Sequence, residues 1–231
     1  MKAIAGFRET ISRCNQLVEL FHTVSPKNDD LLRFAVVLAV SAFEKYVKDS
    51  FVERLVQFAR LPSAGKSKRE EFDAFLKGAG VEPDLWRECY NARGKNPNPN
   101  LRMRNRVKRE LSSKPIQRQT DISELFKLYG LGNILVRARE LSNKALIWKT
   151  IEKTTKRRHQ IVHASDYRFA GSLEPINDKN VNRLLAAFER FVESMNSILE
   201  SRFKKKRRKS IPKRTKSHVK SGRRPTKGNC R

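Results

Sequence analysis

The chain is short of cysteine, of acidic residues and of long apolar runs, and each shortage removes a class of explanation. Its three cysteines, Cys14, Cys89 and Cys230, are odd in number and widely spaced, with no CxxC pair. They offer neither a disulfide framework nor a zinc-holding pair, and read as free thiols in a reducing cytosol. The longest apolar run, Phe34 to Val40, has core-helix length, far below the roughly 20 residues of a membrane span. No signal-peptide h-region follows Met1, so the expectation is a soluble, cytoplasmic protein. Glycine-rich phosphate loops are missing as well. Ala64-Gly65-Lys66-Ser67 resembles only the end of a Walker motif, without its first glycine or a preceding strand. There is no GxSxG nucleophile elbow, no internal repeat and no sustained strand alternation.

What the chain has in excess is positive charge. Lys and Arg number 51 against 24 Asp and Glu, a formal charge of +27 over 231 residues. The stretch from Arg202 to Arg231 holds 15 of these cations and no acid, so the rest carries 36 against 24 and is basic by itself. An excess of this size attracts polyanions, with nucleic acid or an anionic membrane surface as the first candidates.

Apolar spacing predicts an all-α helical bundle over residues 1–203. Helices are expected at 2–24, at 30–60 (apolar enough through Leu31–Val47 to be central), at 67–78, 82–92, 101–112 and 122–129 after an Asp121 cap, and at 143–163 and 178–203. In 101–112 the apolar anchors are expected to be Leu101, Val107 and Leu111. Gly94 to Asn100 reads as a loop. Residues 204–231 are Lys, Arg, Ser, Pro and Gly with almost nothing to bury, and are expected to be a separate disordered tail.

Two positions stand out in the 143–163 helix. Arg158 falls on the stripe of Ile147, Ile151 and Ile161, so its charge either finds a partner or snorkels from the helix edge. Glu44, inside the apolar SAFEKYV stretch of the second helix, is the candidate partner. His163 closes the helix, where an imidazole is either structural or presented to move protons near neutral pH. His159 and His163 share a face, but an HExxH metal site needs Glu where Gln160 stands, and only Asp166 follows as a nearby carboxylate. No metal and no cofactor are expected.

The string Arg158-His159-Gln160-Ile161-Val162-His163, extended as RRHQIVHASD, matches the R-x4-H motif of HEPN-domain proteins. Together with the second helix, LLRFAVVLAVSAFEKYVKDSF, it resembles the RiboL-PSP-HEPN branch of that superfamily over about residues 1–200. The resemblance implies a helical bundle that forms a homodimer, with the motifs of two chains in one cleft. It also implies metal-independent RNA cleavage by attack of the 2′-hydroxyl on the adjacent phosphate, in a toxin or defence effector restrained by an antitoxin or regulatory protein. Arg158 and His163 are then the catalytic pair. His159, Glu44 and Asp166 support them, His159 by positioning the phosphate and Glu44 by holding Arg158. His159 stands where most such motifs carry Asn or Asp, which leaves room for a second proton donor. Two other readings stay open: a non-catalytic RNA-binding or ribosome-associated protein, and a helical adaptor whose tail contacts DNA, RNA or acidic lipid.

The cluster Lys204, Lys205, Lys206, Arg207, Arg208 and Lys209 suits phosphate contact without sequence reading, because it lacks aromatic residues to stack bases. Arg102, Arg104 and Arg106 extend the candidate RNA path across the body. Deleting residues 204–231 is expected to weaken RNA affinity and flatten its salt dependence, by about 0.7 in logarithmic slope per lost single-strand phosphate contact. The melting temperature should stay that of the full chain. A salt slope unchanged by the deletion contradicts the phosphate-tether role.

Overall fold

Helix α2 (Asp30–Ala59) is the axis of the molecule, at 30 residues about 45 Å long. Its buried positions follow no single stripe: Leu32, Ala35, Val36, Ala39, Val40, Phe43, Tyr46, Val47, Phe51 and Leu55 are all enclosed. A helix apolar on most of its circumference must be covered on most sides, and five other helices pack on α2. The structure, a computed structural model, describes residues 2–60, 66–84, 86, 99–143, 146–163, 166–167 and 171–203.

Among the described residues there are seven further helices: α1 (Ala3–Thr23), α3 (Lys66–Gly78), α4 (Pro99–Ser112), α5 (Gln119–Lys127), α6 (Ile134–Leu141), α7 (Ile147–His163) and α8 (Asp178–Phe203). The expected all-α bundle is what forms, with strand pairing limited to one isolated bridge between Tyr167 and Leu173. Helices α1, α4, α5, α7 and α8 pack on α2, while α8 also contacts α1, α6 and α7. The amphipathic helices bury one residue every three or four. In α1 these are Phe7, Ile11, Cys14, Val18 and Phe21, and in α8 Val181, Leu185, Phe188, Val192, Met195 and Leu199. No helix is long and apolar enough to cross a membrane among the described residues.

Several sequence expectations need correction. Helix α6 was not expected; its buried Ile134, Leu135 and Ala138 make only two turns of pattern, too little to stand out between Gly132 and Asn143. Asn143, placed at the start of a core helix, instead sits at φ 52° beyond the end of α6, and the core helix begins at Ile147. Asp121 lies inside the first turn of α5 rather than before it, accepting the Arg118 N–H at 3.2 Å. In α4 the anchors are Met103, Val107 and Leu111, while Leu101 is exposed. Of the helix expected over 82–92, Pro83, Asp84 and Trp86 are helical, and most of the rest lies outside the described residues.

The far half of α2 ends in an aromatic cluster. Tyr129 stacks on Phe51 with centroids 4.4 Å apart, and Phe58, Phe72, Phe126 and Phe203 surround it. The chain reverses at once behind it, using Gly130 at φ 72°, a left-handed conformation that costs glycine little. Tyr129 is fully enclosed, and its hydroxyl donates to the Phe51 carbonyl at 2.6 Å. Tyr129→Phe is therefore expected to cost about 1–3 kcal/mol through the lost buried hydrogen bond. A urea midpoint equal to that of the parent chain would show the bond to be dispensable.

Candidate functional site

The last turn of α7 and the segment after it converge on one carboxylate. Asp166 is almost fully buried, and its Oδ2 accepts from Arg33 Nε of α2 and from Arg157 Nη2 of α7, both at 2.7 Å. The same two guanidinium groups each donate to the Glu174 carbonyl at 3.0 Å. Backbone bonds complete the junction: Asp166 N–H to the Gln160 carbonyl at 3.2 Å, and Glu174 N–H to the Asp166 carbonyl at 2.9 Å. Asp166 adopts φ 63°, a left-handed turn that Asp tolerates better than most residues, and this turns the chain back beneath the helix end. Tyr167 and Leu173 then pair across the returning segment.

Of the two expectations for Arg158, the Glu44 partner is not what forms: the buried ion pairs join Asp166 to Arg157 and Arg33. Arg157, one position earlier, holds Asp166, and the second cation, Arg33, lies in the apolar N-terminal half of α2. Glu44 does not hold Arg158. Its carboxylate accepts from Lys48 Nζ at 2.7 Å, from Gln117 Nε2 at 2.7 Å and from the Ile116 N–H at 3.3 Å, fastening the α4–α5 connection to α2. Burial alone would raise its pKa, but these hydrogen bonds and the Lys48 charge outweigh that and hold it below the ordinary carboxylate value. Its stability contribution is thus present above that ordinary value and is lost as pH falls through the lowered one.

Arg158 is half-buried on the stripe of the buried Ile147, Ile151 and Thr154. Its side chain has no hydrogen-bond or ion-pair partner among the described residues, and its Nε is buried. His159 and His163 are exposed on the other side of α7, their rings 4.3 Å apart. Five residues along an α-helix correspond to about 140° of rotation, so Arg158 and His163 do not share a face of their own helix. The exposed apolar side chains Phe34, Val162, Tyr167 and Leu173 flank the junction, beside Arg33, His163 and Asp166 respectively, with Leu173 bridging to Tyr167. Among the described residues no three His, Cys, Asp or Glu side chains gather into a metal-holding group.

The basic residues of α4 lie elsewhere. Arg104 is half-buried, with Nη2 donating to the Glu53 carbonyl at 3.4 Å. Glu53 is 20 positions along α2 from Arg33, about 30 Å by helical rise. Arg102 and Arg106 remain exposed, so two of the three arginines expected along the RNA path face outward and the third supports the fold. Lys204, Lys205, Lys206, Arg207, Arg208 and Lys209 lie outside the described residues. Cys14 is buried and is no nucleophile, since burial pushes its pKa up to about 11.

Asp166→Ala removes the shared acceptor of two cations and leaves Arg33 charged and enclosed. The expected cost is about 3–5 kcal/mol in urea unfolding. Arg157→Met should cost less, because Arg157 is partly exposed and Arg33 keeps its carboxylate. A loss below about 1 kcal/mol for Asp166→Ala, the range of surface ion pairs, would show that the junction does not organise this end of the molecule.

The RiboL-PSP-HEPN family model matches residues 8–201, which takes in α1 entirely but for its first turn, the whole Asp166 junction and nearly all of α8. No curated protein and no solved structure matches the chain. With the helical bundle, the R-x4-H string at the end of α7 and a match over most of its length, the chain belongs to the RiboL-PSP-HEPN family.

Proposed function

We propose that the protein is a metal-independent endoribonuclease that cleaves RNA by attack of a ribose 2′-hydroxyl on the adjacent phosphate. The observation that carries the reading is the end of α7: a guanidinium without a partner and two exposed imidazoles, held on a helix end that is fixed by buried ion pairs. The attack needs a base for the 2′-proton and a cation for the charge that gathers on the phosphate oxygens. His163 suits the first task and Arg158 the second. Arg157 and Arg33, both engaged by Asp166, orient the helix end and do not contact substrate.

Because Arg158 and His163 point to different sides of one helix, the working site takes the arginine of one chain with the histidine of a second. The exposed Phe34, Val162, Tyr167 and Leu173 supply apolar surface for that contact beside the motif. The surplus of cations, including the exposed Arg102 and Arg106 and the cluster at 204–209, supplies non-specific attraction to the RNA backbone. A cellular role as a toxin or defence effector, restrained by a partner protein, accords with such an activity.

The test is cleavage of a mixed-sequence RNA in EDTA by the wild type, by Arg158→Ala and by His163→Ala. Wild-type cleavage is expected to fall about 10²–10⁴-fold in either variant, the range for loss of an acid–base or charge-stabilising group. Mixing the two inactive chains is expected to restore part of the activity, by forming one site with an intact arginine and histidine. Equal cleavage by all three proteins would reveal a contaminating nuclease. RNA binding without cleavage would make the protein an RNA-binding module instead.

A further inference from the structure

We propose that His159 is a second catalytic residue, the acid that protonates the departing 5′-oxygen, so that this chain carries a complete acid–base pair on one helix face. The proposal rests on the ribonuclease reading above and specifies the proton path that the reading leaves open.

A histidine kept for structure is generally enclosed or hydrogen-bonded. His159 is neither: it is exposed, and neither it nor His163 has a hydrogen-bond or ion-pair partner among the described residues. The two are one helical turn apart, with ring centroids 4.3 Å from each other and planes inclined by 43°. Transphosphorylation has two proton problems, at the attacking and the leaving oxygens, which occupy opposite apices of the pentacoordinate phosphorus. Groups that serve both oxygens of an in-line displacement from one side stand about 3.5–4 Å apart, as the metals of two-metal sites do. The imidazole ring centroids, 4.3 Å apart, lie close to that separation. A phosphate lying across the two rings would present one apical oxygen to each.

Exposed Lys149, Lys153 and Lys156 lie back along α7 from the histidines, in net excess over Glu152, which pairs with Lys156 at 3.4 Å. RNA held along these lysines would bring its backbone to the pair. An imidazole ring can either take or give a proton, which are the two roles the paired rings would divide between them.

The step balances as follows. Neutral His163 takes the proton of the 2′-hydroxyl as the bond from O2′ to phosphorus forms. The bond from phosphorus to O5′ breaks, and imidazolium His159 gives its proton to O5′. The products are a 2′,3′-cyclic phosphate and a 5′-hydroxyl end, with His163 protonated and His159 neutral. Proton exchange with water resets the pair.

The experiment compares an RNA oligonucleotide with the same oligonucleotide in which sulfur replaces the scissile bridging 5′-oxygen. A thiolate departs without being protonated, so loss of the acid should matter only for the oxygen substrate. His159→Gln is expected to slow the oxygen substrate about 10²–10⁴-fold, the usual worth of a general acid, and to cleave the sulfur substrate within about tenfold of the wild type. His163→Ala should be slow on both, since the 2′-proton must be removed in either case. His159→Arg, which keeps a positive charge but is a poor acid, should behave as His159→Gln does.

Equal slowing of both substrates by His159→Gln would overturn the assignment and make His159 a positioning residue, while leaving the ribonuclease reading intact. Normal cleavage of the oxygen substrate by His159→Arg would also overturn it, in favour of a purely electrostatic role. If the wild type cleaves neither substrate, the ribonuclease reading and this proposal fall together. Thermal melts equal to the wild type are expected for the His159 variants, because the side chain is exposed and unbonded.

Discussion

Two guanidinium groups sharing one buried carboxylate oxygen hold the end of α7 and the segment after it together. Arg33 and Arg157 come from different helices, and Asp166 comes from the segment that follows the second. A single surface ion pair of this kind would add little. Here Arg33 and Asp166 are enclosed, so each charge is costly unless the other is present and correctly placed. The Glu174 carbonyl takes a further hydrogen bond from both arginines, which ties down the returning chain. The junction therefore sets three things at once: the register of α7 against α2, the turn after the last helical residue, and the position of the segment beyond it.

That constraint also divides labour between neighbouring arginines. Arg157 is consumed by the scaffold, while Arg158, about 100° further around the helix, has no partner among the described residues. A cation without an internal partner remains available to an external anion, which is what a developing phosphate charge requires. The helix end has the reverse arrangement on its exposed side, where His159 and His163 have neither burial nor bonds to restrain them. One short helical segment thus presents a fixed arginine, a free arginine and two free imidazoles, each with a different angular position.

Much of this organisation was legible in the sequence, where regular burial writes a regular pattern. The apolar run of the second helix announced its central place, and spacing put Arg158 on an apolar stripe, where it lies. Long-range pairing was not legible. Glu44 and Asp166 are both acids near apolar residues, and nothing in their local sequence tells that the first binds Lys48 and Gln117 while the second joins Arg33 and Arg157. Asp166 follows α7, in a stretch that reads as loop, and its burial depends on Arg33 more than 130 positions earlier. The same limit applies to Arg104: within a run of basic residues it looks like its neighbours, and only its place opposite Glu53 turns it inward. The R-x4-H string was visible from the start, and in a helix its five-residue step of about 140° already sets arginine and histidine on different sides.

The cost of the junction makes sense as a demand for precision. Proton transfer and phosphate stabilisation fall steeply when groups are misplaced by about 1 Å, and helix ends ordinarily fray. His163 is the last residue of α7, where fraying would otherwise be greatest. The Asp166 N–H closes back onto the Gln160 carbonyl, and Arg157 anchors that same turn through its side chain. The Arg33–Asp166–Arg157 junction, its carboxylate three residues beyond His163, therefore fastens this helix end where the proposed chemistry would need it held. A histidine at a helix terminus requires such an anchor for the role proposed for His163, whereas one in mid-helix would be positioned by the backbone alone.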